Sequence, residues 1–255
     1  MKKPISVLLL CLLAGCATMH KTAAAPATAS STTADDQLLA GLDEEFTGPK
    51  EGEDVDKMSD PLRHWNAVWF HFNDKLYFWV LRPVSKGYGK VVPEPARKGI
   101  DNVFNNLRTP VPLVSFSLQG RWADARRVLC RFGLNSTVGV LGWRDVAAIK
   151  HDLPGPNEDI DQAFGAWGIG TGPYLVWPFF GPSSVRGTFG SLGDRLLNPT
   201  SWLPRYWNVA VAVTDKVNET SLDPDHYQEM RMMTVVPYTA VRNAYYQNRK
   251  ELVEE

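Results

Sequence analysis

The sequence predicts a mainly α-helical fold, in one domain over residues 59–255. In several segments the apolar residues recur at spacings of three and four, the period of one helix face. Prolines separate these segments, and no stretch shows the sustained apolar–polar alternation that is typical of a half-buried strand. No internal repeat is visible, so we expect a single domain rather than an array of units.

A signal segment and a polar tether are expected before this domain. Residues 1–15 contain two lysines followed by about nine apolar residues, Ile5 to Leu13. A bilayer span needs roughly 20 apolar residues, so this pattern is typical of a secretory signal. Residues 16–58 are rich in Ala, Thr and Ser and then in acidic residues. They carry too little apolar surface to fold alone, and we expect a flexible acidic tether.

The signal segment ends in the pattern of a bacterial lipobox, Leu13-Ala14-Gly15-Cys16. In that motif the small residues fit the signal peptidase, and the cysteine thiol takes a diacylglycerol. We therefore predict that the chain is acylated at Cys16 and attached to a membrane through it. By analogy with enteric lipoproteins, Ala17 in place of Asp favours sorting to the outer membrane.

The first predicted helix begins at Pro61, where a missing N–H costs nothing, and Asp60 is placed to cap it. Five apolar residues then follow at helical spacing: Leu62, Trp65, Trp69, Phe72 and Leu76. Further aromatic residues occupy the other faces of this helix. A helix that is apolar nearly all round lies either in the centre of a large core or in contact with lipid.

Further helices are predicted along the rest of the chain. One runs from Pro95 and ends at the proline-rich segment 109–112, because the residue before a proline disfavours the helical conformation. Another runs from about 118 to 132, and a shorter element lies within 135–150. Helical spacing returns over most of 204–255.

Residues 163–185, AFGAWGIGTGPYLVWPFFGPSSV, contain no charged side chain. The stretch is long enough to cross a bilayer, but its glycines and prolines would repeatedly interrupt a lipid-exposed helix. We expect an irregular segment of turns and a short helix at the mouth of an apolar site. A buried loop that crosses the core is the alternative. The contact surface would consist of Trp167, Tyr174, Trp177, Phe179 and Phe180.

The nine tryptophans all lie between positions 65 and 207. Tryptophan is favoured at membrane–water boundaries because its ring is apolar while its N–H seeks a polar partner. An ordinary aromatic core is the alternative interpretation. The predicted lipid attachment favours contact with a membrane interface.

Composition and spacing exclude several functional classes. Removal of residues 1–15 takes two of the 27 basic residues and none of the 28 acidic ones, and the resulting 25 against 28 gives no basic excess for nucleic acid. With Cys11 removed and Cys16 acylated, Cys130 is the one remaining thiol, so we expect neither an internal disulfide nor a zinc site. Pro173 stands where a dinucleotide-binding glycine loop needs its third glycine. We expect no cofactor.

The chain also lacks the sequence signatures of the hydrolases that act on lipids. No G-x-S-x-G elbow is present, and no histidine pair has the spacing of a zinc protease. The acids Glu158, Asp159 and Asp161 lack the spacing of a calcium-binding EF-hand. We therefore expect no catalytic residue, no metal site and no enzymatic activity. A catalytic group assembled in space from distant residues remains the alternative.

Four stretches, in this order, resemble the MlaA (VacJ) family of outer-membrane phospholipid-transport lipoproteins, and a weaker match follows at 237–252. They are DPLRHWNAVWFHFNDKLYFWVLRPVSKGY (60–88), VVPEPARKGIDNVFNNLRTP (91–110), LQGRWADARRVLCRFGLNSTVGVLGWRDVA (118–147) and WGIGTGPYLVWPFFGPSSVRG (167–187). The chain departs from the family in two places. Residues 159–165 replace a sequence close to DFGQTLG, and Gly187 stands where the family usually has Asp.

This resemblance implies a helical, ring-like protein embedded in the outer membrane from the periplasmic side. Such proteins remove phospholipid that is mislocalised to the outer leaflet. The lipid passes through a central amphipathic channel to a soluble periplasmic carrier, which serves an ATP-driven complex in the inner membrane. Members of the family also associate with trimeric porins. No ATP-binding motif is visible in this chain, so we expect the energy to come from elsewhere.

Polar side chains within apolar helices are the candidates for the channel lining, because burying them without partners is costly. We predict Asn73, Asn105 and Asn106 in this role, with helix capping or backbone hydrogen bonding as the alternative. The predicted lipid-contacting residues are Phe72, Trp167, Tyr174, Trp177 and Phe179. An alternative function is a structural envelope lipoprotein that scaffolds porins without moving lipid.

Overall fold

The computed structural model describes residues 59–254, which form helices and one short β-hairpin. The prediction of a mainly α fold is confirmed. The predicted signal segment 1–15, the lipidation site Cys16 and the tether 16–58 lie outside the described residues.

The described chain alternates short and medium helices. In order of sequence, the elements up to residue 151 are α1 (Arg63–Leu76), a π-helical turn (Tyr77–Leu81), α2 (Arg82–Val91), α3 (Glu94–Leu107), α4 (Pro110–Leu118), α5 (Trp122–Thr137) and α6 (Val146–His151). The elements after residue 151 are α7 (Ile160–Ala166), β1 (Tyr174–Trp177), β2 (Gly181–Ser184), α8 (Val185–Leu197), a 3₁₀ turn (Pro199–Trp202), α9 (Arg205–Leu222), α10 (His226–Met232) and α11 (Pro237–Glu254). The helical prediction for 204–255 is thereby confirmed over α9, α10 and α11.

The start of α1 differs from the prediction. The helix begins at Arg63 rather than Pro61, and Asp60 is not its cap. The Asp60 carboxylate instead accepts hydrogen bonds from the Asn66 amide (2.7 Å) and from the Tyr238 hydroxyl. Asp60 therefore ties the start of the domain to α11, which sequence spacing does not reveal.

The proline-rich segment 109–112 ends one helix and starts another. Helix α3 ends at Leu107, as predicted, but Pro110 is the first residue of α4, a position where its missing N–H is tolerated. Gly120, with φ of 74°, then ends α4 in the left-handed conformation. The predicted helix from 118 to 132 therefore begins later, at Trp122, and continues to Thr137.

Residues 163–185 were predicted without strands, and this prediction is wrong. They contain the end of α7 and an antiparallel hairpin in which Tyr174 lies opposite Ser184 and Trp177 opposite Gly181. Each strand has only four residues, too few to display an alternation in sequence. Within residues 59–254, none of the helices combines the length and the apolar character that a bilayer crossing requires.

The apolar core is small and divided. One part lies between α4 and α5, where Phe116 packs with Ala125 and Val128. Another is aromatic: the Tyr238 ring of α11 meets Phe70 edge to face at 5.5 Å between centroids and lies 6.2 Å from Tyr174. Because the apolar core is small, polar contacts between the elements fix much of their arrangement.

A buried ion pair joins α7 to α8. The Arg186 guanidinium donates to the Asp161 carboxylate at 2.6 Å, and both side chains are about nine-tenths buried or more. Gly190 allows this close approach, because a Cβ there would lie 2.6 Å from the Asp161 backbone nitrogen. Asp161 belongs to the departure at 159–165, so that departure creates a structural pair.

The departure at Gly187 also has a structural reason. A Cβ at this position would lie 2.7 Å from the hydroxyl oxygen of Tyr245 and 3.1 Å from that of Ser184. The Ser184 hydroxyl accepts the Gly187 N–H at 2.9 Å and caps α8. An aspartate side chain would therefore have to move the Tyr245 hydroxyl, at the far end of its side chain, and would crowd the Ser184 cap, whereas glycine fits here without rearrangement.

Replacing Asp161 with Ala removes the carboxylate that compensates the buried charge of Arg186. We expect the free energy of unfolding to fall by about 3–5 kcal/mol, because an uncompensated buried charge remains. Urea unfolding of the detergent-solubilised protein, followed by tryptophan fluorescence, measures the change. The double variant Asp161→Leu/Arg186→Met removes both charges and should recover most of the loss. A loss below about 1 kcal/mol, typical of a surface pair, would contradict the prediction.

Candidate functional site

A cavity of about 670 Å³ is bounded by α3, α4, α5, α8, α9 and the segment 155–159. Its volume falls within the roughly 300–1,000 Å³ of typical ligand pockets. The polar wall is rich in amides: Asn102, Asn105, Asn106, Asn135, Asn157, Asn198 and Asn208. The apolar wall includes Phe104, Val111, Val128, Phe132, Val211 and Ala212. The cavity is therefore amphipathic.

Two arginines of the cavity wall are compensated by acids of the same wall. Arg108 of α3 pairs with Asp215 of α9, and Arg131 of α5 pairs with Asp145 at 2.7 Å. Burial alone would raise the pKa of Asp145, but hydrogen bonds from Arg131 and Asn135 outweigh it and lower that pKa. These pairs hold the wall together and leave little net charge on it.

The segment before α7 contributes two further acids. Asp159 pairs with Arg249 of α11, and Glu158 lies 3.9 Å from the Arg121 guanidinium. The Glu158 carboxylate also accepts hydrogen bonds from Gln119 (2.6 Å) and Ser115 (3.0 Å). Burial nevertheless raises the pKa of Glu158 above its usual range.

Asp194 and Arg195 of α8 complete the charged part of the wall. Neither makes an ion pair with any residue between 59 and 254. Asp194 Oδ1 accepts the N–H of Ile160 at 3.0 Å, and the Arg195 guanidinium lies over the Phe180 ring at 5.2 Å. Burial raises the pKa of Asp194 to about 6, against the opposing effect of the Ile160 N–H.

Two asparagines of α1 attach the hairpin to the helix. Asn66 is fully buried; its amide nitrogen donates to the Tyr174 carbonyl at 2.9 Å, and its oxygen accepts the Val176 N–H at 2.8 Å. Asn73 repeats the arrangement, donating to the Trp177 carbonyl at 2.9 Å and accepting the Phe179 N–H at 2.8 Å. The two amides thus satisfy the outer edge of β1 as a neighbouring strand would.

The hydrogen bonds of these two asparagines determine where the hairpin turn lies. Asn66 and Asn73 are seven residues apart, so both lie on one face of α1. They bring the Phe179 ring to 5.2 Å from Phe72, and Phe179 itself adopts a φ of 69°. A second cavity, of about 180 Å³ and mostly apolar walls, opens between this turn, α1 and Tyr227.

The exposure of the tryptophans argues against one interpretation of them, an ordinary aromatic core. Eight of the nine expose more than a third of their surface, so they do not form an aromatic core. Phe180 and Phe189 are exposed as well. An exterior this rich in tryptophan is typical of proteins that meet a membrane–water interface.

The predicted site residues fall into separate places. Asn105 and Asn106 line the large cavity: Asn105 bonds to Asp101 and Arg108 of its own helix, and Asn106 donates to the Ser136 hydroxyl at 3.0 Å. Trp167 is exposed and donates its indole N–H to the Leu118 carbonyl at 3.1 Å, at the end of α4.

The remaining predicted residues gather at the hairpin. Phe72, Asn73 and Phe179 lie together beside the smaller cavity, and Trp177 donates its indole N–H to the Thr188 hydroxyl at 2.9 Å. Tyr174 is fully buried, so it has no surface to offer to a lipid in this structure. Asn73 makes the backbone hydrogen bonds that the alternative interpretation described.

Among the site residues that were not singled out from the sequence are Asn66, Asp194 and Arg195. Asn66 carries a signal that could have identified it, since it lies two helical turns before Asn73 on the same face. Asp194 and Arg195 carry none, because their lack of ion-pair partners depends on what surrounds them in space.

The sequence profile of the MlaA lipoprotein family matches residues 58–252. The chain belongs to this family. The match covers the whole of the cavity and both strands of the hairpin, so the geometry described above is that of an MlaA domain.

Relatives of known name match this chain over about the same stretch as the family profile. The chain is 32% identical over 201 residues to the intermembrane phospholipid transport system lipoprotein MlaA of Shigella flexneri, covering 77% of this chain and 79% of that protein. The protein of the same name from Escherichia coli K12 is 31% identical with the same coverage. That of Haemophilus influenzae is 27% identical over 76% of this chain and 79% of its own length.

A solved structure extends the likeness to three dimensions. It comes from work on the structural basis for maintenance of bacterial outer membrane lipid asymmetry. Its TM-score with this chain is 0.68 at 30% identity, over 76% of this chain and 99% of that one. The fold of this chain is therefore shared across nearly the whole of the solved chain.

Replacing Asn66 or Asn73 with Ala should free individual amides of the hairpin. Hydrogen exchange followed by NMR should show the Val176 N–H exchanging about tenfold faster in Asn66→Ala, and the Phe179 N–H in Asn73→Ala, because each loses its acceptor. Asn105→Ala is the matched control, since its side chain bonds only within α3, and both amides should keep their protection. If exchange is unchanged in Asn66→Ala and Asn73→Ala, the hairpin is stable without the hydrogen bonds from these two amides.

Proposed function

We propose that this chain is an outer-membrane lipoprotein that removes mislocalised phospholipid from the outer leaflet and passes it to a soluble periplasmic carrier. The amphipathic cavity of about 670 Å³ is the observation that carries the proposal. Its amide wall suits a phospholipid headgroup and glycerol backbone, and its apolar wall suits the first part of the acyl chains. A transporter of an amphipathic molecule needs both kinds of wall.

The exterior supports a position within the membrane. Exposed tryptophans at positions 79, 122, 202 and 207 would face interfacial lipid, where an apolar ring with one N–H is favoured. Several polar groups lie inside the fold, where Asn66, Asn218 and Ser115 are fully buried and hydrogen-bonded. We propose that the domain is embedded from the periplasmic side and attached through acylated Cys16.

The system in which the chain works is proposed from its relatives. Their name places them in an intermembrane phospholipid transport system, which implies a carrier that receives the lipid. We propose a soluble periplasmic lipid carrier and a trimeric porin as partners, as the family resemblance suggests. The energy for net transport would then be supplied outside this chain.

The domain is proposed to move lipid without chemical change. The family is one of transport lipoproteins. Within residues 59–254, no three His, Cys, Asp or Glu side chains are placed to hold a metal ion together. The charged groups of the cavity wall are arranged mainly as ion pairs, which suits binding and passage.

A bulky residue in the cavity should block transport. Ala212 of α9 lines the cavity, so Ala212→Trp should fill part of the space and leave phospholipid in the outer leaflet. The assay adds a phospholipase to intact cells that lack the gene and carry a plasmid copy, and measures digested lipid. Cells with Ala212→Trp should resemble the deletion strain, whereas wild-type cells should release little product.

The control for this test is Ala210→Trp, two residues away on the same helix, exposed and outside the cavity wall. It should complement like the wild type. Complementation by both tryptophan variants would contradict passage through the cavity. A deletion strain with unchanged surface phospholipid but displaced porins would favour the scaffold function instead.

Replacing Cys16 with Ser removes the acylated thiol predicted from the lipobox. We expect the protein to leave the outer-membrane fraction, because the lipid chains supply much of its membrane affinity. Density-gradient fractionation with immunoblotting measures the distribution, and Cys130→Ser is the matched control, which should fractionate normally. If Cys16→Ser stays in the outer-membrane fraction, the folded domain is sufficient for insertion.

A further inference from the structure

The charges of the large cavity are balanced with two exceptions. Six of its eight charged wall residues have an oppositely charged partner within 4.0 Å: Arg108, Arg131, Asp145, Glu158, Asp159 and Asp215. Among residues 59–254, Asp194 and Arg195 have none. An unpaired carboxylate and an unpaired guanidinium therefore occupy consecutive positions of α8, both in the cavity wall, and they do not pair with one another.

Arg195 is positioned to bind an anion. Its guanidinium carbon lies 5.2 Å from the centroid of the Phe180 ring, within the range of a cation–π contact. The N–H donors lie at the edge of the planar group and remain open, in the geometry that matches the oxygens of a phosphate.

Asp194 is positioned to bind a cation. Only its Oδ1 is used within the described residues, as acceptor of the Ile160 N–H, so Oδ2 can accept from a ligand. The two acids near it already have partners. Asp159 pairs with Arg249, and Asp161 pairs with Arg186 and lies 3.7 Å from Arg249. The charge of Arg249 acts to lower the pKa of Asp194, but Arg249 pairs with Asp159 and Asp161, and no cationic side chain of the described residues lies within 4.0 Å of the Asp194 carboxylate.

We propose that Asp194 and Arg195 form a binding site for a zwitterionic phospholipid headgroup, in which Arg195 binds the phosphate and Asp194 binds the ammonium group. The inference rests on the proposed function and adds a headgroup preference to it. A zwitterion of the phosphatidylethanolamine kind compensates both charges at once. An anionic headgroup such as phosphatidylglycerol would compensate Arg195 but leave Asp194 unpaired.

The test uses the purified full-length lipidated protein in detergent micelles. Binding of fluorescent phosphatidylethanolamine and phosphatidylglycerol is measured in parallel for the wild type, Asp194→Asn, Arg195→Gln and Arg195→Lys. Asp194→Asn keeps the oxygen that accepts the Ile160 N–H, so the fold is preserved. Arg126→Gln and Glu251→Gln remove exposed charges that have no ion-pair partner among residues 59–254, and serve as controls.

The wild type should bind phosphatidylethanolamine about tenfold more tightly than phosphatidylglycerol, since one charge-assisted contact distinguishes them. Asp194→Asn should reduce this ratio towards one. Arg195→Gln should weaken both lipids by about tenfold, and Arg195→Lys should restore part of the affinity because it keeps the charge. The two control variants should behave as the wild type.

The failures of the inference and of the proposed function are distinguishable. A wild type that binds neither lipid would overturn the transport function. A wild type that binds both equally, with Asp194→Asn and Arg195→Gln unchanged, would overturn only the zwitterion site. Soluble glycerophosphoethanolamine is added as a competitor, and competition as strong as that of the intact lipid would assign the site to a free phosphodiester instead.

Discussion

The buried amide of Asn66 is the contact on which the arrangement of this domain depends. It uses two donors and one acceptor, to Asp60, to the Tyr174 carbonyl and to the Val176 N–H. One side chain thus joins the entry of the chain, the first helix and the hairpin. A buried amide that lost these partners would cost more than the bonds themselves contribute, so the three segments must be placed together.

The polarity of the fold follows the same logic throughout. Its interior is held by polar contacts, such as Arg186 with Asp161 and Arg97 with the Ser221 carbonyl, while tryptophans occupy the exterior. In water, the exposed apolar side chains would contribute nothing to the hydrophobic stabilisation that drives folding. Next to lipid it is favourable, because apolar side chains lose nothing by facing outward and satisfied polar pairs give the helices a unique packing.

The cavity uses charge differently from the core. Most of its wall charges are neutralised in pairs that link helices distant in sequence, such as Arg108 with Asp215. Paired charges present hydrogen-bonding groups without a strong net field, which suits the proposed binding of an amphipathic lipid. Asp194 and Arg195 of α8 are the exceptions, because they have no ion-pair partner among residues 59–254. Arg195 contacts the Phe180 ring of the hairpin turn.

The sequence by itself determined the helical class, the approximate positions of several helices and the family, because these depend on local periodicity and on motifs read in order. It also led to Asn73, Asn105 and Asn106, since polar groups in apolar helices are conspicuous. Only the tertiary structure decided what they do: Asn73 holds the hairpin, whereas Asn105 and Asn106 line the cavity. Hairpin strands of four residues leave no periodic signal, and an ion pair exists only between residues that folding brings together. For the same reason, the unpaired state of Asp194 and Arg195 cannot be read from neighbours in sequence.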